Sequence, residues 1–155
     1  MAITSAICNS FKQEILVEGH NFTGGTDTFK LALHSSDSAT LSKSTTVYTA
    51  PADGTADPTN TYEVTSTSSG YTTGGNSLTS TTPVLSGDTA CCKFADTSWG
   101  STASFTARGC LIYNSTNSNK AVCAINFGAD KTVTSGTFTI QFPAQTAGNA
   151  IIQIA

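Results

Sequence analysis

Residues 105–128 read FTARGCLIYNSTNSNKAVCAINFG. Two runs rich in apolar residues flank NSTNSN, a stretch made of turn formers, so the segment reads as one antiparallel hairpin. With a symmetric loop, Tyr113 faces Lys120, Ile112 faces Ala121 and Cys110 faces Cys123. Directly opposed Cβ atoms in such a ladder stand about 4.5–5.5 Å apart, and a disulfide needs roughly 3.5–4.5 Å. Two readings of Cys110 and Cys123 follow: a disulfide across the hairpin, or two reduced thiols packed side by side as small hydrophobes. Cytoplasmic synthesis favours the second. The chain has five cysteines. With an odd count, at least one thiol is free or bonds outside the chain.

Period-two patterning continues on both sides of the hairpin. In TFTIQF, Phe138, Ile140 and Phe142 fall on one face, and Thr137, Thr139 and Gln141 on the other. FKLAL puts Phe29, Leu31 and Leu33 together, and AIIQIA does the same for Ile152 and Ile154. TVYTA, at residues 46–50, is a further short candidate, and PVLSGDTACCKF holds two more around the turn at Ser86-Gly87-Asp88. Cys91 and Cys92 are neighbours in that run, so on a strand they point to opposite faces. Six to eight short strands broken by turn signals predict a mainly β protein, an antiparallel β-sandwich or jelly roll. The expected organisation is a single domain over residues 1–155, with a β-sandwich over residues 22–155.

Only residues 3–18 suggest a helix. Ile3, Ile7, Phe11 and Ile15 recur every fourth position, Thr4 or Ser5 can cap the start, and Gly19 can close the end. The stripe admits two uses: packing on one side of the protein's own sheet, or docking on a neighbouring subunit as an interface. Residues 51–82 form a long polar tract containing ADGTADPTN and SGYTTGGNS, read as turns and loops with a surface role.

Composition narrows the function classes. The chain holds 28 threonines and 19 serines, while charged residues are only 11%, against about 25% in typical domains. Threonine suits a solvated sheet face, so the outer faces are expected to be polar and uncharged. The net charge is −3, and the seven basic residues are scattered with no two adjacent. Phosphate binding needs clustered cations, so no nucleic-acid partner is expected. No apolar run approaches the roughly 20 residues that span a bilayer, so no membrane role is expected. The N-terminus has no basic n-region and continuous apolar h-region, so synthesis in a cytoplasm is expected.

No motif for chemistry stands out. G-x-S-x-G, the P-loop and G-x-G-x-x-G are all missing. The two histidines, His20 and His34, read as surface residues, and neither pairs with a cysteine at metal-ligand spacing. Asp53, Asp57, Asp88 and Asp130 read as turn or strand-end acids. The expectation is no enzyme, no catalytic residue, no metal and no cofactor. Trp99, Tyr62 and Tyr71 are candidates for sugar stacking if the protein is a glycan-binding tail or fibre module, although a lone Trp equally plugs a core edge. A low-charge β body with open strands also permits a self-assembling filament.

Three segments, MAITSAICNSFKQEILVEGHNF, FTARGCLIYNSTNSNKAV and FGADKTVTSGTFTIQFPA, together resemble a family of small virion structural proteins of tailed bacteriophages. The likeness runs along nearly the whole chain and lies in the order of segments. It implies a head decoration, or cement, role in the virion. The implied partners are the major capsid protein or other virion proteins. It also implies a homo-oligomer, with a trimer matching a capsid three-fold axis. Against that pattern, Cys110 and Cys123 stand where small residues are expected, which suggests added stapling. Residues 52–60 also make a longer stretch than expected.

Overall fold

The computed structural model describes residues 3–35, 40–50, 62–65 and 70–155. They form eight strands: β1 (Ala6–Ile7), β2 (Phe29–His34), β3 (Asn76–Leu78), β4 (Val84–Ser86), β5 (Thr89–Cys92), β6 (Thr97–Asn114), β7 (Lys120–Ile140) and β8 (Ile152–Ile154). All pairings are antiparallel. One sheet has five strands in the order β1-β7-β6-β2-β3, and a second has three in the order β4-β5-β8. The chain is therefore mainly β, as the alternation predicts, and neither sheet closes into a barrel.

The opening hairpin is the spine of the larger sheet. β6 has 18 residues and β7 has 21. Its register differs from the symmetric expectation. Asn114 pairs with Lys120 and Tyr113 with Ala121, and after a bulge at Val122 the partners are Ile112–Cys123 and Cys110–Ile125. The loop is therefore one residue shorter than the symmetric loop. Asn114 Oδ1 accepts from the Thr116 and Asn117 amides, while Ser118 and Asn119 take left-handed backbone angles, which closes the turn early. Cys110 and Cys123 thus share a face as diagonal neighbours and do not oppose each other. Diagonal neighbours lie about 7–8 Å apart, beyond disulfide reach, and all five thiols are free and buried.

The N-terminal segment also departs from expectation. Helix α1 is short, Asn9–Glu14, followed by a 3-10 turn at Ile15–Val17. Its N-cap is Cys8, which makes no side-chain cap, so neither Thr4 nor Ser5 starts it. Ala6 and Ile7 instead pair with Ala124 and Cys123 of β7. A spacing of four fits both a helix and a strand, since four is a multiple of two. Gly19 does close the turn. Its amide donates to the Glu14 carbonyl, and a Cβ there would stand 2.8 Å from that oxygen.

One apolar cluster joins both sheets. It runs from Phe29, Leu31 and Leu33 of β2 through Leu111 and Ile112 of β6 to Cys92 and Ile152 of the smaller sheet. β2 lies between β6 and β3, which pair with both of its edges. Both of its faces are covered too: Phe29, Leu31 and Leu33 are buried on one, Ala32 and His34 on the other. Within the cluster, Phe22 stacks on Phe29 at 4.5 Å, and Phe94 bridges Phe29 to Phe142 at 5.5 and 5.6 Å. The run at 46–50 contributes only an isolated bridge, Val47 to Lys120, and no full strand. Much of the polar tract, residues 51–61 and 66–69 with Asp53 and Asp57, lies outside the described residues.

Candidate functional site

The apolar stripe of the N-terminal segment turns inward. Ile3 and Phe11 are buried in the core, and Ile7 and Ile15 pack half-buried against it. It packs on the protein's own body, and Ile3 and Phe11 are not free to dock elsewhere. What the segment exposes is the next pair, Leu16 at 83% and Val17 at 70%. Both sit in the 3-10 turn, where the chain tightens before Glu18 adopts a left-handed conformation, so they swing away from the sheet.

The smaller sheet carries a second exposed apolar row. In register, Leu85 lies beside Ala90, and Ala90 beside Ile154. Two residues along each of β5 and β8, on the same face, Cys92 pairs with buried Ile152. The inward face of this sheet is thus covered at the Cys92–Ile152 row and overhangs the core one row further out. There Leu85 is 75% exposed and Ile154 55%. A shallow groove of about 390 Å³ links this edge to the helix, lined by Ile7, Ile15, Leu16, Ile152 and Ile154, with Lys12 its one charged wall residue. Large apolar side chains grouped at a rim mark contact surfaces more often than isolated ones do.

Two buried polar networks brace the body. In the first, three donors converge on Glu63, which is fully buried. Tyr48 Oη donates to Oε2 at 2.8 Å, and Tyr71 Oη and the Gly74 amide donate to Oε1, both at 2.7 Å. Tyr71 Oη also accepts from the Leu33 amide, and Tyr113 Oη donates to the Gly74 carbonyl. Burial pushes the Glu63 carboxyl up, against the pull of these donors and of the Lys30 ammonium. Burial, with the Glu63 charge nearby, likewise raises Tyr48, Tyr71 and Tyr113.

In the second, His20 lies with its side chain wholly covered, contrary to its reading as a surface residue. Its Nε2 is 2.8 Å from Glu14 Oε2, and its Nδ1 is 3.2 Å from Asn114 Nδ2. Asn114 Nδ2 also donates to Asp27 Oδ2 at 2.7 Å, and Lys120 Nζ lies 3.6 Å from Glu14 Oε1. This network fastens the helix end and the loop after it to the hairpin turn. No sequence motif marks either network, because their members come from segments far apart in the chain.

The three sugar-stacking candidates part company. Tyr71 and Trp99 are 4% and 3% exposed, and Tyr71 and Phe105 both pack on Trp99. Only Tyr62 is partly open, and it too leans on the core. Trp99 plugs the core, and the three rings do not share an exposed face. Among the described residues, no three His, Cys, Asp or Glu side chains gather as a metal would require, and no helix is long and apolar enough to cross a membrane. No family model matches the chain, and neither a curated protein nor a solved structure matches it.

Proposed function

We propose that the protein is a non-enzymatic structural component of a tailed-phage virion, a capsid decoration or cement protein. It stabilises the head by protein–protein contacts with the major capsid protein or other virion proteins. In this reading it needs no cofactor, binds neither nucleic acid nor membrane, and assembles as a homo-oligomer, with three-fold symmetry favoured. Its two sheets are the halves of a jelly-roll sandwich.

The observation that carries this reading is the apolar rim. Leu16, Val17, Leu85 and Ile154 spend large apolar area on solvent while the networks around Glu63 and His20 fasten the loops and the helix end to the larger sheet. A rigid body with an uncovered apolar margin gains free energy by burying that margin, at about 25 cal/mol per Å². The likeness in segment order to small phage virion proteins points the same way.

The test is co-sedimentation with purified phage heads stripped of accessory proteins. The expected result is saturable retention on heads and none on free DNA. Retention on DNA, or indifference to heads at high protein concentration, would overturn the reading.

A further inference from the structure

Beyond Asn126, β7 pairs with no strand on its outer side among the described residues. Its inner side pairs with β6 along its length, whereas β1 reaches only Cys123 and Ala124, and the Val47 bridge only Lys120. β2 pairs with β6 only from Gly109 to Asn114. The far half of the hairpin is therefore a two-stranded ribbon among the described residues, an arrangement marginal without a further partner. Strand edges facing water are ordinarily guarded by charge or proline. Exposed Asp130 and Lys131 guard the near part of this edge, but residues 132–140, TVTSGTFTI, contain neither.

The sequence at this edge is self-complementary. Thr137 and Thr139 flank Phe138 symmetrically, with Gly136 and Ile140 outside them. We propose that this edge pairs antiparallel with the same edge of a second copy about a two-fold axis at Phe138, joining two ribbons into a four-stranded sheet. Phe138 then lies beside the partner's Phe138, Thr137 beside the partner's Thr139, and Gly136 beside the partner's Ile140. Every pair keeps its face, because opposed residues in a two-fold antiparallel pair must be an even number apart. The threonines are exposed and Phe138 and Ile140 half-buried, so threonine pairs form on the wet face and apolar pairs on the inner one, where each pairing type is favourable.

Phe138 is already fixed for this contact, packed on Trp99 at 5.9 Å and on Phe105 at 5.2 Å. A groove of about 470 Å³ beside it, walled by Ile125, Phe127, Ile140, Phe142 and Ile151, offers apolar lips for the second copy to cover. The proposal concerns this edge alone: its two-fold contact is separate from the three-fold association favoured above, and it stands whether or not the protein decorates a capsid.

Sedimentation equilibrium on three forms of the full chain tests it. The native chain is expected to associate reversibly through this edge. T137K/T139K sets lysine opposite lysine twice across the axis, and is expected to weaken association about ten-fold or more. T137E/T139K sets glutamate opposite lysine at the same positions, and is expected to restore association in a salt-sensitive way. Both positions are exposed, so circular dichroism of all three should coincide. Three results would overturn the proposal: a native chain that stays monomeric at every concentration, association that ignores the lysine pair, or a Glu/Lys form as dissociated as the Lys/Lys form.

Discussion

The hydroxyl of Tyr71 donates to Glu63 over 2.7 Å with both side chains shut away from water. Around that bond meet segments that share no strand: Tyr48 from one loop, Gly74 from another, and the Leu33 amide from β2. Glu63 is therefore the knot that ties the described loops to the sheet. Removing its side chain leaves two hydroxyls and an amide buried without an acceptor. Glu63→Ala is expected to cost on the order of 3–5 kcal/mol. Glu63→Gln keeps one carbonyl oxygen for Tyr71 and Gly74 and should cost less than half as much. Urea denaturation of the two variants checks the order.

The same knot gives stability a pH dependence. Burial raises the Glu63 carboxyl above its ordinary 4.5. A group raised on folding contributes stability that is full below 4.5 and fades as pH climbs through its folded value. Denaturant midpoints should therefore fall as pH rises from 4.5 toward that value, and the slope should vanish in Glu63→Gln. Tyr48, Tyr71 and Tyr113 are raised above 10, so by the same sign a second loss is expected above pH 10. A native chain whose midpoint rises with pH across the first window would contradict this account.

Gly75 gives a sharper mutational test. Its φ is +70°, and a Cβ there would overlap the Leu31 carbonyl oxygen of β2. Gly75→Ala is expected to cost more than about 4 kcal/mol, since strain and overlap add. Gly87→Ala supplies the control. Gly87 also has positive φ, at +62°, but open space around it, so its cost should stay near 1 kcal/mol. Thermal unfolding of the pair separates a crowded turn from a strained one.

The thiols should behave as sealed core groups. Burial pushes Cys8 up to about 11 and Cys92 up to about 12, and raises Cys110 well above its ordinary value. Thiolate is the reactive form, so alkylation at pH 8 should be slow in the native chain and reach all five cysteines in denaturant. Intact mass should be the same with and without reductant. A two-hydrogen mass difference would show a disulfide that the register of β6 and β7 does not provide for.

How far the sequence spoke for the fold depends on which physics set each feature. Phe138, Ile140 and Phe142 alternate with Thr137, Thr139 and Gln141 as read, because one face of an edge strand is wet and the pattern must follow it. Cys110 pairs two residues further along than a symmetric loop predicts. The loop, closed early by Asn114 and two left-handed residues, shifts the register by one, and the bulge at Val122 shifts it by one more and returns Cys110 and Cys123 to a common face. His20 read as a surface group because burial of its polar ring depends on partners from distant segments, Glu14 and Asn114, and His34 did so because the cover over β2 comes from the rest of the fold. The stripe of Ile3 and Phe11 was legible as apolar. Its inward direction, and the exposure of Leu16 and Leu85 in its place, depend on packing between distant segments that periodicity does not encode.

That exchange of faces decides the last prediction. If the rim is the working surface, charging it should abolish binding and spare folding. Leu16→Asp with Val17→Asp removes two residues that are 83% and 70% exposed, so unfolding free energy should change by no more than about 0.5 kcal/mol per site. Retention on phage heads should fall at least ten-fold, since burying an aspartate against an apolar partner costs more than about 1.4 kcal/mol. Leu85→Asp tests the other end of the rim in the same way, and Thr146→Asp, on an exposed residue outside it, should leave retention intact. If heads retain the Leu16 and Leu85 variants as well as the native chain, the rim is not the contact surface, and the capsid reading loses the observation on which it rests.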